Sequence, residues 1–589
     1  MKHIRFILIF VSTLLLVCTL AGCIAVQSDG QQLVVTGDSI IVNKEPVSSI
    51  DNAALVDNRY LYTQDQNDSV VTMYLTVSRG TDSENTDYSW PEINNYSIYD
   101  YEKMNVDRFQ VEGLLQVGDE KGPIAGQLGF GLKIPNATVQ VRGATTSRMP
   151  QKSFKIELKK DSGEWNQQRT INLNKHVFDG LRFRNKLCYD LLKEIPDMVS
   201  LRTQFVHLYV KDNTAKEDKG FVDYGLYTQV EQPNTRFLRS HGLDSNGQLY
   251  KMVFFEYDQY KDAILMKSNP KYDVRKFESI LEIKGSDDHS KLIAMLGDVN
   301  DYSKPIETVF EKYFDSDNYF TWLAFNILVG NIDTQSRNNY LYSPLNSNKW
   351  YYICWDCDAA LTRYEHDLID PDRIGYEYGV SNYWGDVLFS RVMQIPKYRA
   401  LLDEKVEALH KIITRQRVDS MARTYQAVVE KYLFQMPDVM YSSYSHKDYL
   451  AMAATFSEEL DLNYELYQQS LKMPMPFYLD APDNQEEKLF FRWDPAFCFD
   501  GQDVTYTFEL SKDFTMKKTI IKEDSLNFPT TAIKMLKPGK YFYRVRATNK
   551  AGYTQWAMAY YVKDDVKYYG TQCFYVLKDG SIEVEEAHE

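Results

Sequence analysis

Residues 330–342 read GNIDTQSRNNYLY. One aspartate and two asparagines cluster there, between an apolar helical stretch and a strand-like one. Asn, Asp and Gly are the usual turn residues, so the knot is either a plain turn or a catalytic loop. Its neighbours decide which. The preceding DSDNYFTWLAFNILVG (315–330) opens with Asp and Ser as cap candidates, is apolar nearly all round as a buried helix is, and stops at a glycine. The following NYLYS, the turn PLNSN and KWYYICW read as a β-hairpin that delivers Asp356 just beyond its second strand.

Upstream, from Val70, VVTMYLTVSRG, GQLGFGLKIPNATVQVRG and QKSFKIELKK alternate apolar and polar residues at strand period. A helix is expected over Gly180 to Ile195, with Leu181, Phe183, Leu187, Leu191 and Leu192 on its apolar side. Two further strands, RTQFVHLYV and VDYGLYTQVEQ, follow. This order gives a small sheet lobe with a packed helix. Downstream, residues from about Gly385 to Leu471 read as helical. The chain then turns to short strands with sandwich-like turn spacing from about Pro474 to Val562. That stretch resembles a fibronectin type III domain, with Trp493 as core tryptophan and Leu536, Pro538, Gly539 and Tyr541 to Tyr543 around the late-strand corner.

In a helix–loop–hairpin unit the loop and the strand end approach each other. Asp333, Asn338 five positions on, and Asp356 would then converge as oxygen ligands for a hard cation, Mg²⁺ or Mn²⁺. Protein kinases use this arrangement: an Asp that takes the proton of the attacking hydroxyl, an Asn and a second Asp on the metals, and a strand lysine on the phosphates. The flanking words differ, since no His-Arg precedes Asp333 and no Phe-Gly follows Asp356. RMPQKSFKIEL offers Lys152 and Lys155 for the phosphates, with Lys152 favoured, and Glu194 is a candidate lysine partner on the helix. Within the loop, Asn338 has the metal spacing from Asp333. Asn339 is read as the first strand residue and the more replaceable of the two.

VQVRGATTSRMPQKSFKIEL, GLYTQVEQPNTRFL, GNIDTQSRNNYLY and WYYICWDCDAAL resemble, in this order, the motif series of the CotH kinase family of atypical protein kinases. The chain has Ala144, Thr145 and Thr146 where the family often has Asn-Ser-Ser, and Cys354 where it usually has Pro. The resemblance implies an α+β, two-lobed kinase-like fold over 70–472, with a β-rich N-lobe and a helical C-lobe, ahead of an all-β fibronectin-like sandwich over 474–562 and a tail over 563–589. It also implies ATP-dependent phosphorylation of protein Ser or Thr. Asp333 is then the catalytic base, Asn338, Asp356 and Asp358 the metal side, Lys152 and Lys155 the phosphate contacts, and Arg142 and Glu231 parts of the nucleotide cleft.

The start, MKHIRFILIFVSTLLLVCTLAGC, has a basic end, an apolar run and small residues before Cys23, which is a signal-peptide pattern whose LAGC resembles a bacterial lipobox. Residues 1–23 are therefore expected to be a signal, 24–69 a tether with strand character in QQLVVTGDSIIVN, and Cys23 the lipidation site. That places the body outside the cytoplasm, held to a membrane, with a protein substrate and a surface or cell-wall partner for the C-terminal domain. A net charge of −15 argues against nucleic acid, whose phosphates need a basic surface. The cysteines after Cys23 are too scattered for a disulfide framework, and the pair in CWDC is read as chance.

Two other functions fit parts of this pattern. Asp356-Cys357-Asp358 after an apolar strand is a DxD, the metal and nucleotide-diphosphate clamp of many sugar transferases. That reading leaves the Asp333/Asn338 loop and the lysine strand unused. An anchored, acidic chain with a fibronectin-like tail could instead be a non-catalytic adhesion or scaffold protein. Such a protein would not require Asp333, Asn338, Asp356 and a strand lysine together. The acidic RYEHDLIDPDRIGYEYG beyond Asp358 occupies the place of a substrate-facing segment and would favour basic substrates there, although such a run is more often just a solvated face.

Overall fold

A computed structural model of the chain describes the strands Gln27–Ser28, Gln31–Thr36 and Ser39–Lys44, and residues 55–365, 379, 381–564 and 566–585. Residues 1–23 with Cys23, and most of the acidic run after Glu365, lie outside the described residues. The fold is mixed α+β. The expected strand character near residue 35 is there as an antiparallel three-stranded sheet.

The β-rich region is built from β1 (Val70–Ser78), β2 (Val111–Asp119), β3 (Gly122–Pro123), β4 (Ala137–Arg142), β5 (Ser153–Leu158), β6 (Thr170–Asn174), β7 (Thr203–Asp212) and β8 (Val222–Glu231). They pair in the order β1-β7-β8-β6-β5-β4-β2-β3, and β1 also pairs with β2, so the sheet closes on itself. Only the β1–β7 pairing is parallel. Closure leaves almost no open edge. It also turns one apolar face inward, where Met73, Leu115, Val139, Phe154, Ile156 and Leu173 form a core of their own. The opposite face carries a polar row, because Gln140, Lys155 and Asn172 are register partners on adjacent strands and so point the same way.

Helix α1 (Arg184–Leu192) is shorter than the expected span and buried on every side, polar residues included. Its charges are neutralised internally: Arg184 pairs with Asp179 at 2.6 Å and Glu365 at 2.5 Å, and Lys186 with Asp190 at 2.9 Å. Residues ahead of β1 are docked rather than tethering. Tyr62 donates to the Ser200 carbonyl, and the Arg59 guanidinium donates to carbonyls just after α1, including Met198 at 3.2 Å. The folded unit therefore reaches back to about residue 55, not 70.

Helix α2 (Ser316–Leu328) begins at Asp315, whose side chain accepts from Asn318 N at 2.9 Å, and is buried along its length. It stops at Gly330, where φ is +61° and a Cβ would lie 2.7 Å from Asn463 Nδ2. Both conditions call for glycine. Strands β9 (Gln248–Met252), β10 (Leu281–Ile283), β11 (Asn339–Ser343) and β12 (Tyr351–Cys354) form a second sheet in the order β10-β9-β11-β12. β11 and β12 are the predicted hairpin, with Asn339 opposite Cys354. Helices α3 (Val387–Met393), α4 (Pro396–Ile412), α5 (Arg415–Leu433), α6 (His446–Thr455) and α7 (Glu459–Ser470) follow, as the sequence predicts.

The C-terminal region has two sheets over one core that contains Phe491, Trp493, Phe508, Tyr543 and Phe574, beside a two-stranded sheet of Tyr560–Lys563 with Val566–Tyr569. The segment read as a tail belongs to it. Thr571–Val576 pairs with Gly539–Asn549, and Ile582–Val584 pairs with Thr571–Val576. Their alternating apolar residues close the core, so this region ends near residue 585 rather than 562. Among the described residues no helix is long and apolar enough to cross a membrane.

Candidate active site

The loop between α2 and β11 is fastened at both ends. Asn331 N donates to Asn326 O at 3.0 Å, and Asn331 Nδ2 to Asn326 Oδ1 at 3.1 Å. Asn339 is the first residue of β11, as read, but it is not replaceable. It is fully buried, its Oδ1 accepts from Trp322 Nε1 of α2 at 2.7 Å, and its Nδ2 donates to the Thr334 and Arg337 carbonyls at 2.6 and 3.1 Å. One amide thus ties helix, loop and strand together. Asn338 does a different job. With φ at +57° it turns outward, and its Nδ2 donates to Asp333 O at 2.9 Å and Asp333 Oδ2 at 2.8 Å. The left-handed conformation is tolerated by Asn better than by most residues.

Asp356 also has a left-handed backbone, φ +58°. Its amide donates to the Tyr189 hydroxyl at 2.9 Å, and the next amide, Cys357 N, donates to Asn185 Oδ1 at 3.1 Å. Both acceptors stand on α1, so that buried helix sets where the Asp356 carboxylate points. Burial pushes Asp356 up to about 7, and the Asp358 carboxylate adds to this, as Asp333 does more weakly, while His176 and Arg142 pull it down. Asp333 is raised by desolvation and by Asp358, against Arg337 and Asn338. Its side chain is 51% exposed, so solvent screens much of that shift. The mutual effects of Asp333, Asp356 and Asp358 put the three carboxylates in one neighbourhood.

A cleft of about 480 Å³ lies beside Trp355, the residue before Asp356, and is lined by Arg108, Arg142, Lys155, Lys251 and Lys284 against Glu157 and Glu282. The excess of cations suits phosphate. Arg142 stacks over the Trp355 ring, 5.6 Å from its centroid, and donates to Asn174 Oδ1. Lys155 projects from the polar row and pairs with Glu157 at 2.8 Å.

The structure therefore brings together Asp333, Asn338, Asp356, Asp358, Arg142 and Lys155. It does not bring in Lys152, Glu231 or Glu194. Lys152 precedes β5, donates to Ser147 O at 2.6 Å and lines a separate groove beside Trp90 and Tyr227. Glu231 is buried with its carboxylate on Arg202 N at 3.0 Å and His241 Nε2 at 3.1 Å, and His241 Nδ1 meets Asp57 at 2.7 Å. That is a sealed charge cluster, away from the cleft lining. Glu194 is held by Arg417 rather than by a strand lysine.

Sequence reasoning missed His176, whose Nδ1 lies 3.8 Å from Asp358 Oδ2 and whose buried Nε2 has no hydrogen-bond partner. It also missed Arg108 and the α1 pair Asn185 and Tyr189. Nothing local marks any of these, since each acts on a residue far away in the chain.

Among the described residues no three His, Cys, Asp or Glu side chains form a metal-holding cluster. The donors that do gather suit a hard cation. Asn338 has Nδ2 engaged by Asp333, which orients its Oδ1 away, and Asp356 is a carboxylate whose neighbours repel its charge. Mg²⁺ is commonly held by one or two protein oxygens together with substrate phosphates, so a small donor set fits.

The class this site defines is a kinase-type phosphotransferase. The family model described as CotH kinase protein matches residues 139–478, more than half of the chain, and the chain belongs to that family. No curated protein matches it. Among solved structures it is similar to the Helicobacter pylori proinflammatory kinase CtkA, at 10% identity over 54% of this chain and 95% of that chain, with a TM-score of 0.23. It is also similar to the twitchin kinase region from C. elegans, at 22% identity over 16% of this chain and 19% of that chain, with a TM-score of 0.11. Those TM-scores are too low to define a shared architecture.

Proposed function

We propose that the chain is an ATP-dependent protein serine/threonine kinase, in which the closed sheet and α1 act as the N-lobe and the helical region as the C-lobe. One observation carries the reading: Asp333 and Asn338 are hydrogen-bonded to each other and share a neighbourhood with Asp356, which in turn feels Arg142 of the cationic cleft. Asn338, Asp356 and Asp358 would hold Mg²⁺ or Mn²⁺, which with bound ATP supplies charge neutralisation on the phosphates.

The chain's own residues do the rest. Asp333 accepts the proton of the acceptor hydroxyl, and Asn338 Nδ2 fixes the rotamer in which it does so. Arg142 and Lys155 present positive charge to the phosphates, Lys155 rather than Lys152 because of these two lysines only Lys155 lines the cleft. Tyr189 and Asn185 hold the Asp356 turn from α1.

Cys23 as a lipidated anchor, an extracytoplasmic position, and a fibronectin type III-like C-terminal module that meets a surface or cell-wall partner complete the proposal. They rest on the LAGC start, the apolar run before it and the strand pattern after Pro474.

The test is transfer of labelled phosphate from ATP by the purified full chain, with Mg²⁺ or Mn²⁺, to itself or to a generic basic protein. Wild type labels, and Asp333→Ala and Asp356→Ala do not. Equal labelling by all three would reject the site assignment, and transfer from a nucleotide sugar without labelling from ATP would favour a DxD glycosyltransferase.

A further inference from the structure

A second cleft, of about 610 Å³, lies where the helical region meets the C-terminal sheets. Glu256, Asp258 and Asp386 line it from one side and Asp494 from the other, with Trp384 and Tyr478 between, and no Lys, Arg or His is among its lining residues. Two arginines outside the lining have partners of their own. Arg337 faces Glu256 from the loop but also sits 3.7 Å from Asp333. Arg391 of α3 lies over the Tyr302 ring at 4.5 Å and donates to Lys304 O at 3.0 Å.

An acidic cluster alone identifies no ligand, and the decisive feature is Asp386. It is 7% exposed, its Oδ1 caps α3 by accepting from Phe389 N at 2.8 Å, and its buried Oδ2 has no hydrogen-bond partner. A buried carboxylate oxygen left unsatisfied is costly and calls for a donor. Burial raises Asp386 well above the usual carboxylate range, with the Phe389 and Leu388 amides opposing and Glu256 and Asp258 reinforcing. The Tyr478 phenol, raised by burial, feels Glu256, Asp386 and Asp494 together, which puts these groups of both walls around one space.

We propose that this cleft binds the guanidinium of an arginine on a protein partner. A planar, weakly hydrated cation with several N–H donors can meet separate carboxylates at once and lie against an aromatic face, which an ammonium does less well. The cleft is also tied to the candidate active site: Gln335 of the Asp333 loop donates to Gly385 O at 2.6 Å, and Gly385 lines the cleft. The C-terminal region is seated to serve as the second wall, with Met558 N donating to Phe477 O at 2.9 Å and Asn549 Nδ2 to Lys472 O at 2.9 Å. That the bound arginine belongs to the phosphorylated substrate rests on the kinase reading, whereas binding itself does not.

Calorimetric titration of the full chain, without nucleotide, with hexa-arginine and with its neutral analogue hexa-citrulline tests this. Asp386→Asn keeps a capping side chain but can no longer become a carboxylate, and Glu256→Gln with Asp258→Asn removes two further acidic groups. Glu404→Gln with Glu465→Gln, both exposed, is the charge-matched control. The expected result is hexa-arginine affinity about tenfold or more weaker in each cleft variant, unchanged in the control, and no measurable hexa-citrulline binding. Equal loss in the control, equal binding of hexa-citrulline, or no binding by wild type would overturn the proposal. Because no ATP is present, absence of kinase activity leaves each of these outcomes readable.

Discussion

Replacing Asn339 by alanine separates holding the loop from acting in it. The substitution removes the acceptor of Trp322 Nε1 and the donor to the Thr334 and Arg337 carbonyls, all in a site without solvent. Each buried polar group left without its partner costs about 1–3 kcal/mol. With the small cavity added, the loop and β11 should lose about 3 kcal/mol. Native-state hydrogen exchange of the Asn339–Ser343 amides reads this directly, as roughly hundredfold faster exchange. The turnover number should fall with it, because Asp333 is no longer held. Asn338→Ala provides the contrast: it lies at the surface of the loop, so exchange should change by less than about tenfold while turnover still collapses. If Asn339→Ala exchanges like wild type and turns over normally, the argument that this amide fastens the loop is wrong.

Other perturbations have equally definite outcomes. Lys155→Met should raise the KM for ATP about tenfold or more, as for loss of a charge-assisted phosphate contact, whereas Lys152→Met should leave it within experimental error. His241 is pulled down by burial but carried to about 9 by Glu231 and Asp57. Its folded value thus exceeds the usual 6.5, so its contribution of about 3 kcal/mol is fully present below pH 6.5 and lost as pH rises through 9. Denaturant midpoints across that window should fall in wild type and be flatter in His241→Gln. Gly330→Ala meets both a positive φ and Asn463, and should lower the thermal midpoint by several degrees, reflecting about 1–3 kcal/mol. Chelation of divalent ions should abolish phosphate transfer reversibly, and activity that persists in excess chelator would contradict the role given to Asn338 and Asp356.

The helix–loop–hairpin unit was legible because its signals are local: a cap at Asp315, a stop at Gly330, and a turn between two aromatic strands. The five-residue step from Asp333 to Asn338 was legible for the same reason. What the sequence could not show depends on partners far along the chain. Closure of the N-terminal sheet needs Val70–Ser78 to pair with Thr203–Asp212, and no local pattern encodes that parallel match. The choice between Lys152 and Lys155 turned on where β5 begins, since a strand starting at Ser153 leaves Lys152 in the preceding turn. Glu194 and Glu231 read as candidate site carboxylates in the sequence, but Arg417 holds the first, and the Arg202 amide and His241 hold the second. Asn339 misled because a strand-start asparagine is commonly exposed, and only the distant Trp322 indole makes it indispensable.

The central claim is that Asp333 moves the proton while Asn338 and Asp356 hold the metal. Calorimetric binding of ATP with Mg²⁺, beside single-turnover phosphate transfer, on Asp333→Asn and Asp356→Asn tests it most directly. The account predicts that Asp333→Asn binds ATP as wild type does but transfers at least about a hundredfold more slowly, and that Asp356→Asn loses the metal-dependent part of binding. Transfer by Asp333→Asn at the wild-type rate, or unchanged metal-dependent binding by Asp356→Asn, would contradict it.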